Sequence, residues 1–264
     1  MTQTFFSLLS PPSLFAENQN PPDRINGQFF RQFLKDTEKI ICAPFSWGKK
    51  DFLLAGLAAS GTSAFFLADE PIHRWLLDNP DNGRNSAAKV FSTMADPAVL
   101  FGLVSAGYLL GSLNHSLTTR KTFLLAGESL LITELVIQMA KTGIGRARPY
   151  NEEGAFSFHP LTLKEKWQSF PSGHSASAWA LASSLAASTQ NPYLDAFFYT
   201  LAAGVSLSRV LLDKHFASDV VAGSLLGFFI GKKITQPAKQ EPKKVAFQLI
   251  ILRRFLAFGL TYYF

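Results

Sequence analysis

The sequence predicts an all-α protein, a helical bundle with a six-helix core embedded in a membrane, and three observations predict it. Apolar residues fill 47% of the 264 positions against 17% charged, with 25 Phe, which is more apolar surface than a core of this size needs. Predominantly apolar segments at 52–68, 97–113, 122–140, 171–190, 194–212 and 217–231 alternate with short polar connections, and they are too long for ordinary strands. These segments are rich in Ala, Gly and Ser, small residues that let membrane helices approach closely and that equally suit the interior of a large soluble bundle.

Three regions follow. Residues 1–50 form an N-terminal extension, 51–233 the helical-bundle domain, and 234–264 a linker with an apolar tail. At the start, Phe5 to Ala16 resembles the apolar core of a secretory signal cut after Ala16, but no positive side chain precedes it and Pro11 and Pro12 interrupt it. Next comes a charged stretch, Asp23 to Lys39, with Phe29, Phe30, Phe33 and Ile40 at roughly helical spacing, the pattern of an amphipathic helix lying against a partner. Asp96 before Pro97 marks a helix start, because Asp caps free backbone N–H groups and Pro suits the first helical position. Gly231 before Lys232 and Lys233 reads as a helix stop. The tail from Val245 to Phe264 reads as an interfacial helix or a closing strand.

The net charge of +6 sits in short clusters and not along one face, which argues against nucleic acid and for an anionic substrate or membrane orientation. Lys49 and Lys50, Arg120 and Lys121, and Lys232 and Lys233 fall on one side if six segments alternate direction, as the positive-inside rule requires of the cytoplasmic side. Both ends are then cytoplasmic. The single cysteine, Cys42, forms no internal disulfide and reads as a small apolar filler.

The opposite side gathers three groups of residues at helix borders: Lys141, six residues, then Arg148 and Pro149; Pro171, Ser172, Gly173, His174; and Ser208, Arg209, five residues, His215, three residues, Asp219. Helices three and five end there, and helices four and six begin there. A dianionic phosphate needs several fixed donors. Arg148 and Arg209 each offer a planar fork that matches phosphate oxygens, and Lys141 adds a point charge. Ser172 and Gly173 open helix four, where free N–H groups and the helix dipole attract an anion. His215 and Asp219, four apart, share a helix face, so Asp219 is placed to orient the imidazole.

In order and spacing the three groups resemble the signature of the type-2 phosphatidic acid phosphatase superfamily, which also contains bacterial acid phosphatases and vanadium-dependent haloperoxidases. The resemblance covers about residues 50–232 and matches every signature position. It implies a metal-independent phosphatase in which His215 takes the phosphoryl group as nucleophile. His174 then protonates the leaving oxygen and activates water for the second step. Opposite protonation states for the two histidines imply a bell-shaped pH dependence. The expected substrate is a lipid phosphate: a phosphatidic acid type, phosphatidylglycerol phosphate or a polyprenyl diphosphate.

That reading places the chain in the inner membrane with its site on the periplasmic face. The alternatives are a periplasmic acid phosphatase acting on soluble esters after signal cleavage, and a haloperoxidase holding vanadate in the same pocket. A non-catalytic membrane protein that keeps the fold is disfavoured by the presence of His174, His215 and Asp219. No cofactor is expected, and no cluster has the spacing of zinc or two-metal ligands. His73, His115 and His159 fall outside the pattern and read as structural, while Glu128 and Glu134, carboxylates inside an apolar segment, are expected to be paired structurally.

Overall fold

The computed structural model describes residues 22–189 and 191–235, and the backbone of two strands at 245–252 and 255–262. The signal-like start at 1–16 and linker residues 236–244 lie outside the described residues.

Helix α1 (Gly27–Ile41) begins where the Asn26 side chain accepts from Phe29 N–H at 3.0 Å. Its Phe33 and Ile40 pack against Ile132, Ile230 and Ile234, so the amphipathic segment lies on the bundle. Arg120 fastens the chain ahead of it, donating from Nε to the Asp23 carbonyl at 2.8 Å and pairing with the Asp23 carboxylate.

The bundle comprises α2 (Lys49–Asp78), α3 (Asn82–Met94), α4 (Pro97–Leu113), α5 (Leu117–Ile144), α6 (Gly173–Ala186), α7 (Pro192–Leu211) and α8 (Ala217–Thr235). The Asp96 cap is present, with Oδ1 accepting from Ala98 N–H at 2.9 Å and Pro97 at the first position.

Three sequence expectations are corrected. Helix α2 runs ten residues past the predicted end, through Asp69 and Pro71, because Asp69 is fully paired inside the protein. The expected connection 69–96 also contains α3, a polar helix with Ala88 as its buried residue, capped by Asp81; so little apolar periodicity hid it. Gly231 does not stop α8, which continues to Thr235. A Cβ at Gly231 would lie 2.3 Å from the Ala180 carbonyl oxygen, so that glycine permits close packing instead.

Helix α6 is the centre of the bundle, with eleven of its fourteen residues buried among α5, α7 and α8. Glycines four residues apart on α8 let its backbone approach α6: a Cβ at Gly223 would sit 2.3 Å from Ser172 O, and one at Gly227 1.9 Å from Ala176 O. On the other side of α6, Ala178, Leu181 and Ala182 pack with Leu100 and Val104 of α4, Leu130 of α5 and Val205 of α7.

This is a membrane protein with several candidate spans. Helices α2, α5 and α7 are long and apolar enough to cross a bilayer, and α3 with α4, bent by 49°, makes a fourth if it is one span. The expected six are not all supported by length and composition: the 14 residues of α6 reach about 21 Å against a hydrocarbon layer of about 30 Å. Along α2 none of the most apolar stretch is buried within the protein, as a lipid-facing helix requires. The tail forms a separate unit, an antiparallel hairpin of β1 (Val245–Leu252) and β2 (Phe255–Tyr262), in register from Val245 with Tyr262 to Leu252 with Phe255.

Candidate active site

Helix α5 is ended by Gly145, whose φ of 64° is left-handed and whose N–H donates to Lys141 O at 2.9 Å. A Cβ there would meet the His159 carbonyl oxygen at 1.8 Å, so the turn requires glycine. The loop that follows is pinned by Ala147 N–H to Ser157 O (2.9 Å) and Arg148 N–H to Lys166 O (2.9 Å). Arg148 Nε donates to Glu165 O at 3.0 Å. One turn before the helix end, Lys141 extends over the start of α6, where a Cβ on Gly173 would lie 3.4 Å from its Nζ.

The spacing of the third group has a local cause. After α7 the chain turns through Asp213 at φ 57°, and both Lys214 N–H (3.0 Å) and His215 N–H (3.2 Å) donate to Arg209 O. The carbonyl of Arg209 thus fixes where His215 stands. The guanidinium of Arg209 donates from Nη1 to Ser92 of α3. It is buried, and its Nε has no hydrogen-bond partner among the described residues, a free donor suited to an anion.

Ser172 departs from the sequence reading. Its N–H donates to Asp219 O at 2.9 Å and is not free for an anion, and its buried Oγ accepts from Ser175 Oγ at 3.0 Å. The helix-start donors left are the N–H groups of Gly173 and His174. The same bond joins the second motif to the third.

His215 Nδ1 lies 3.7 Å from Asp219 Oδ2, beside the carboxylate but beyond hydrogen-bond length. Asp219 Oδ2 accepts from Ser169 Oγ at 2.5 Å and Phe216 N–H at 2.9 Å. Its Oδ1 accepts from Arg146 Nη1 at 2.6 Å.

Lys141, Arg148, Ser172, Gly173, His174, Arg209, His215 and Asp219 therefore stand at the ends of α5, α6, α7 and α8 and on the loop before α6. Sequence reasoning missed Ser92, Ser169 and above all Asp69 and the structural part of Arg146. Both of the latter are fully buried and paired, Arg146 Nη2 with Asp69 Oδ2 at 2.7 Å. The available sign was an acid, Asp69, continuing an apolar segment.

Of the three histidines outside the motifs that the sequence reading took as structural, His73 and His159 have side-chain partners. His73 Nε2 lies 2.9 Å from Asp213 Oδ1, and His159 stacks on Trp167 and contacts Glu153 Oε2 at 2.8 Å. Glu134 accepts from Ser177 Oγ. Glu128 does not meet its expectation: it is buried, and neither carboxylate oxygen has a hydrogen-bond partner among the described residues. No group of three His, Cys, Asp or Glu side chains is placed to hold a metal ion among the described residues.

Electrostatics separates the two motif histidines. Burial pushes His215 down to about 3, against the pull of Asp219, so its ring is neutral at physiological pH. His174, in the first turn of α6, is lowered to about 4 by burial and then by Arg209, Lys141 and Arg148, with Asp96 opposing. An anion among those three cations removes their effect and returns His174 toward its ordinary range.

Residues 122–240 match the family model described as the PAP2 superfamily. A lipid A 1-phosphatase of Rhizobium johnstonii is 34% identical over 101 residues, 38% of this chain and 41% of the relative. One of Porphyromonas gingivalis is 36% identical over 66 residues, 24% of this chain and 15% of the relative. The chain thus aligns with about two fifths of the rhizobial protein's length. Among solved structures, LpxE of Aquifex aeolicus superposes with a TM-score of 0.51 at 19% identity, covering 63% of this chain and 93% of that one. A transmembrane PAP2-type phosphatidylglycerolphosphate phosphatase of Bacillus subtilis gives 0.51 at 24% identity, covering 72% and 96%. Both share the fold.

The lowered His174 predicts that anion binding takes up a proton. The dissociation constant of sulfate, which does not titrate near neutrality, should fall as pH drops from 8 toward 5, by up to about tenfold per unit, and His174→Ala should flatten the dependence. Sulfate affinity independent of pH in the intact protein would contradict the assignment.

Proposed function

This chain belongs to the PAP2 superfamily, and from that premise we propose that it removes phosphate from a lipid phosphomonoester or diphosphate through a phosphohistidine at His215, without a metal. The observation that carries the reading is the set of three cations, Lys141, Arg148 and Arg209, around two neutral histidines of which one, His215, is backed by a carboxylate.

In the first step the phosphate lies among those cations and the N–H groups of Gly173 and His174, which stabilise charge on its equatorial oxygens. His215 keeps Nδ1 toward Asp219, which leaves Nε2 to attack phosphorus in line. The bond to the leaving oxygen breaks, and that oxygen takes the proton of His174, made protonated by the bound anion. In the second step His174 accepts a proton from water, water attacks the phosphohistidine, and phosphate and free His215 are restored.

A lipid substrate is supported by the rim itself. Leu161 (85% exposed), Leu163 (79%) and Phe156 (64%) project from the loop that carries Arg148, beside the end of α5, where Thr162 N–H donates to Thr142 O at 3.2 Å. The names of the relatives make lipid A-type 1-phosphate the first candidate, with phosphatidylglycerol phosphate next. For placement, Lys49, Lys50, Arg120, Lys121, Lys232 and Lys233 lie at the bundle end opposite the motifs, which supports a catalytic rim at the outer face of the inner membrane.

Phosphate release should be measured across lipid A, phosphatidylglycerol phosphate, a polyprenyl diphosphate and a water-soluble aryl phosphate. Binding of the lipid body should raise kcat/KM on the order of 10²-fold over the soluble ester; equal rates on both would sink the lipid assignment. Placement is read separately in a Cys42→Ser background with Ser46→Cys or Leu163→Cys and an impermeant thiol reagent on intact cells. Labelling at position 163 alone is expected, and equal labelling at both positions would refute the orientation.

A further inference from the structure

We infer that Asp69 and Arg146 are positioning residues that lock Asp219 and, through it, the ring of His215. This rests on the reading of His215 as nucleophile. Arg146 is fully buried and has no access to a substrate. Its guanidinium lies between two rings, 4.2 Å from the centroid of Phe66 and 4.4 Å from that of Phe216. Every nitrogen of the fork is committed: Nε and Nη2 donate to Ala155 O (2.9 and 2.6 Å), Nη1 to Ser218 Oγ (2.7 Å) and Asp219 Oδ1 (2.6 Å), and Nη2 to Asp69 Oδ2 (2.7 Å). Packed against two rings and bonded through every nitrogen, the group is held in one position against Asp219.

The consequence for Asp219 is geometric. With Oδ1 held by Arg146, the oxygen that faces His215 Nδ1 is Oδ2, steadied by Ser169 and Phe216 N–H. Asp69 completes the lock from outside the family-matched segment 122–240. Reaching in from α2, its Oδ1 accepts from Ser218 N–H at 2.9 Å, and its Oδ2 accepts from Ser218 Oγ and Arg146. One carboxylate thereby ties the first turn of α8, which bears Asp219, to the arginine that aims it. A pair that served burial alone would need only one carboxylate for one guanidinium. Here two carboxylates share the fork, so Asp219 keeps an oxygen for the histidine.

The test uses the full-length protein in detergent, with Asp69→Asn, Arg146→Lys and Ser218→Ala compared with wild type at matched melting temperature. For Asp69→Asn, kcat on a lipid phosphate should fall about 10- to 100-fold with KM nearly unchanged, because Lys141, Arg148 and Arg209 are left in place. Arg146→Lys, which keeps the charge and loses the fork, should fall in the same way, and Asp69→Glu should recover part of the loss. Nitrogen-15 NMR of the histidine rings gives a readout that needs no turnover: the His215 signals should shift in Asp69→Asn while those of His174 stay. A folded Asp69→Asn protein with wild-type kcat and an unmoved His215 signal overturns the inference, as does a raised KM with kcat intact. If Asp69→Asn does not fold, Ser218→Ala, which deletes only the hydroxyl shared by Asp69 and Arg146, is judged on the same two readouts. Absence of turnover in wild type would count against the phosphatase reading, and the NMR arm would still decide the positioning role.

Discussion

The site depends on how closely α8 lies against α6. Three glycines, Gly223, Gly227 and Gly231, bring the α8 backbone to the carbonyls of Ser172, Ala176 and Ala180, and at the rim this contact becomes the bond from Ser172 N–H to Asp219 O. That bond joins the helix start bearing His174 to the helix start bearing Asp219. A larger residue at Gly223 would separate the two motifs before it disturbed any catalytic side chain. Packing of small residues is thus the means by which distant parts of the sequence share one anion site.

Charge is divided in the same economical geometry. Arg146 is enclosed and paired with two carboxylates, Asp69 and Asp219, one more than a buried cation needs for charge balance, and removing one partner of such a buried pair costs about 3–5 kcal/mol. Arg209 and Lys141 are treated differently. Arg209 donates to a serine hydroxyl and its Nε has no hydrogen-bond partner among the described residues, and Lys141 stands over Gly173. The protein neutralises the arginine that holds the frame, whereas of the three cations around the anion site Arg148 is the one with a carboxylate beside it, the exposed Glu165 at 3.5 Å, among the described residues. Burial first, and then these cations, lower the affinity of His174 for protons.

Much of the bundle was legible because apolar runs in this sequence are bounded by recognisable caps, such as Asp96 with Pro97 at the start of α4. The polar α3 was not, since its Asn-Gly start and sparse apolar residues resemble a connection until α7 is present to cover it. Asp69 shows the limit of hydropathy more sharply. An acid normally ends an apolar segment, and its partner here lies 77 residues away on another element, which no local pattern reveals. The motif spacings were readable because they reflect local geometry, as in the Arg209 carbonyl that collects the His215 N–H. The fate of the Ser172 N–H was not, because it is decided by α8. The tail, open between helix and strand in the sequence, is a hairpin.

The central claim is a covalent phosphoryl bond to His215 in the course of turnover. It is tested most directly by mixing the protein with a lipid phosphate labelled at phosphorus, quenching with alkali within the first turnovers and mapping the label by peptide mass. A phosphohistidine at position 215, absent from His215→Ala, is the result the account predicts. A label on another residue, or steady turnover with no phosphoprotein under conditions that preserve phosphohistidine, would contradict it.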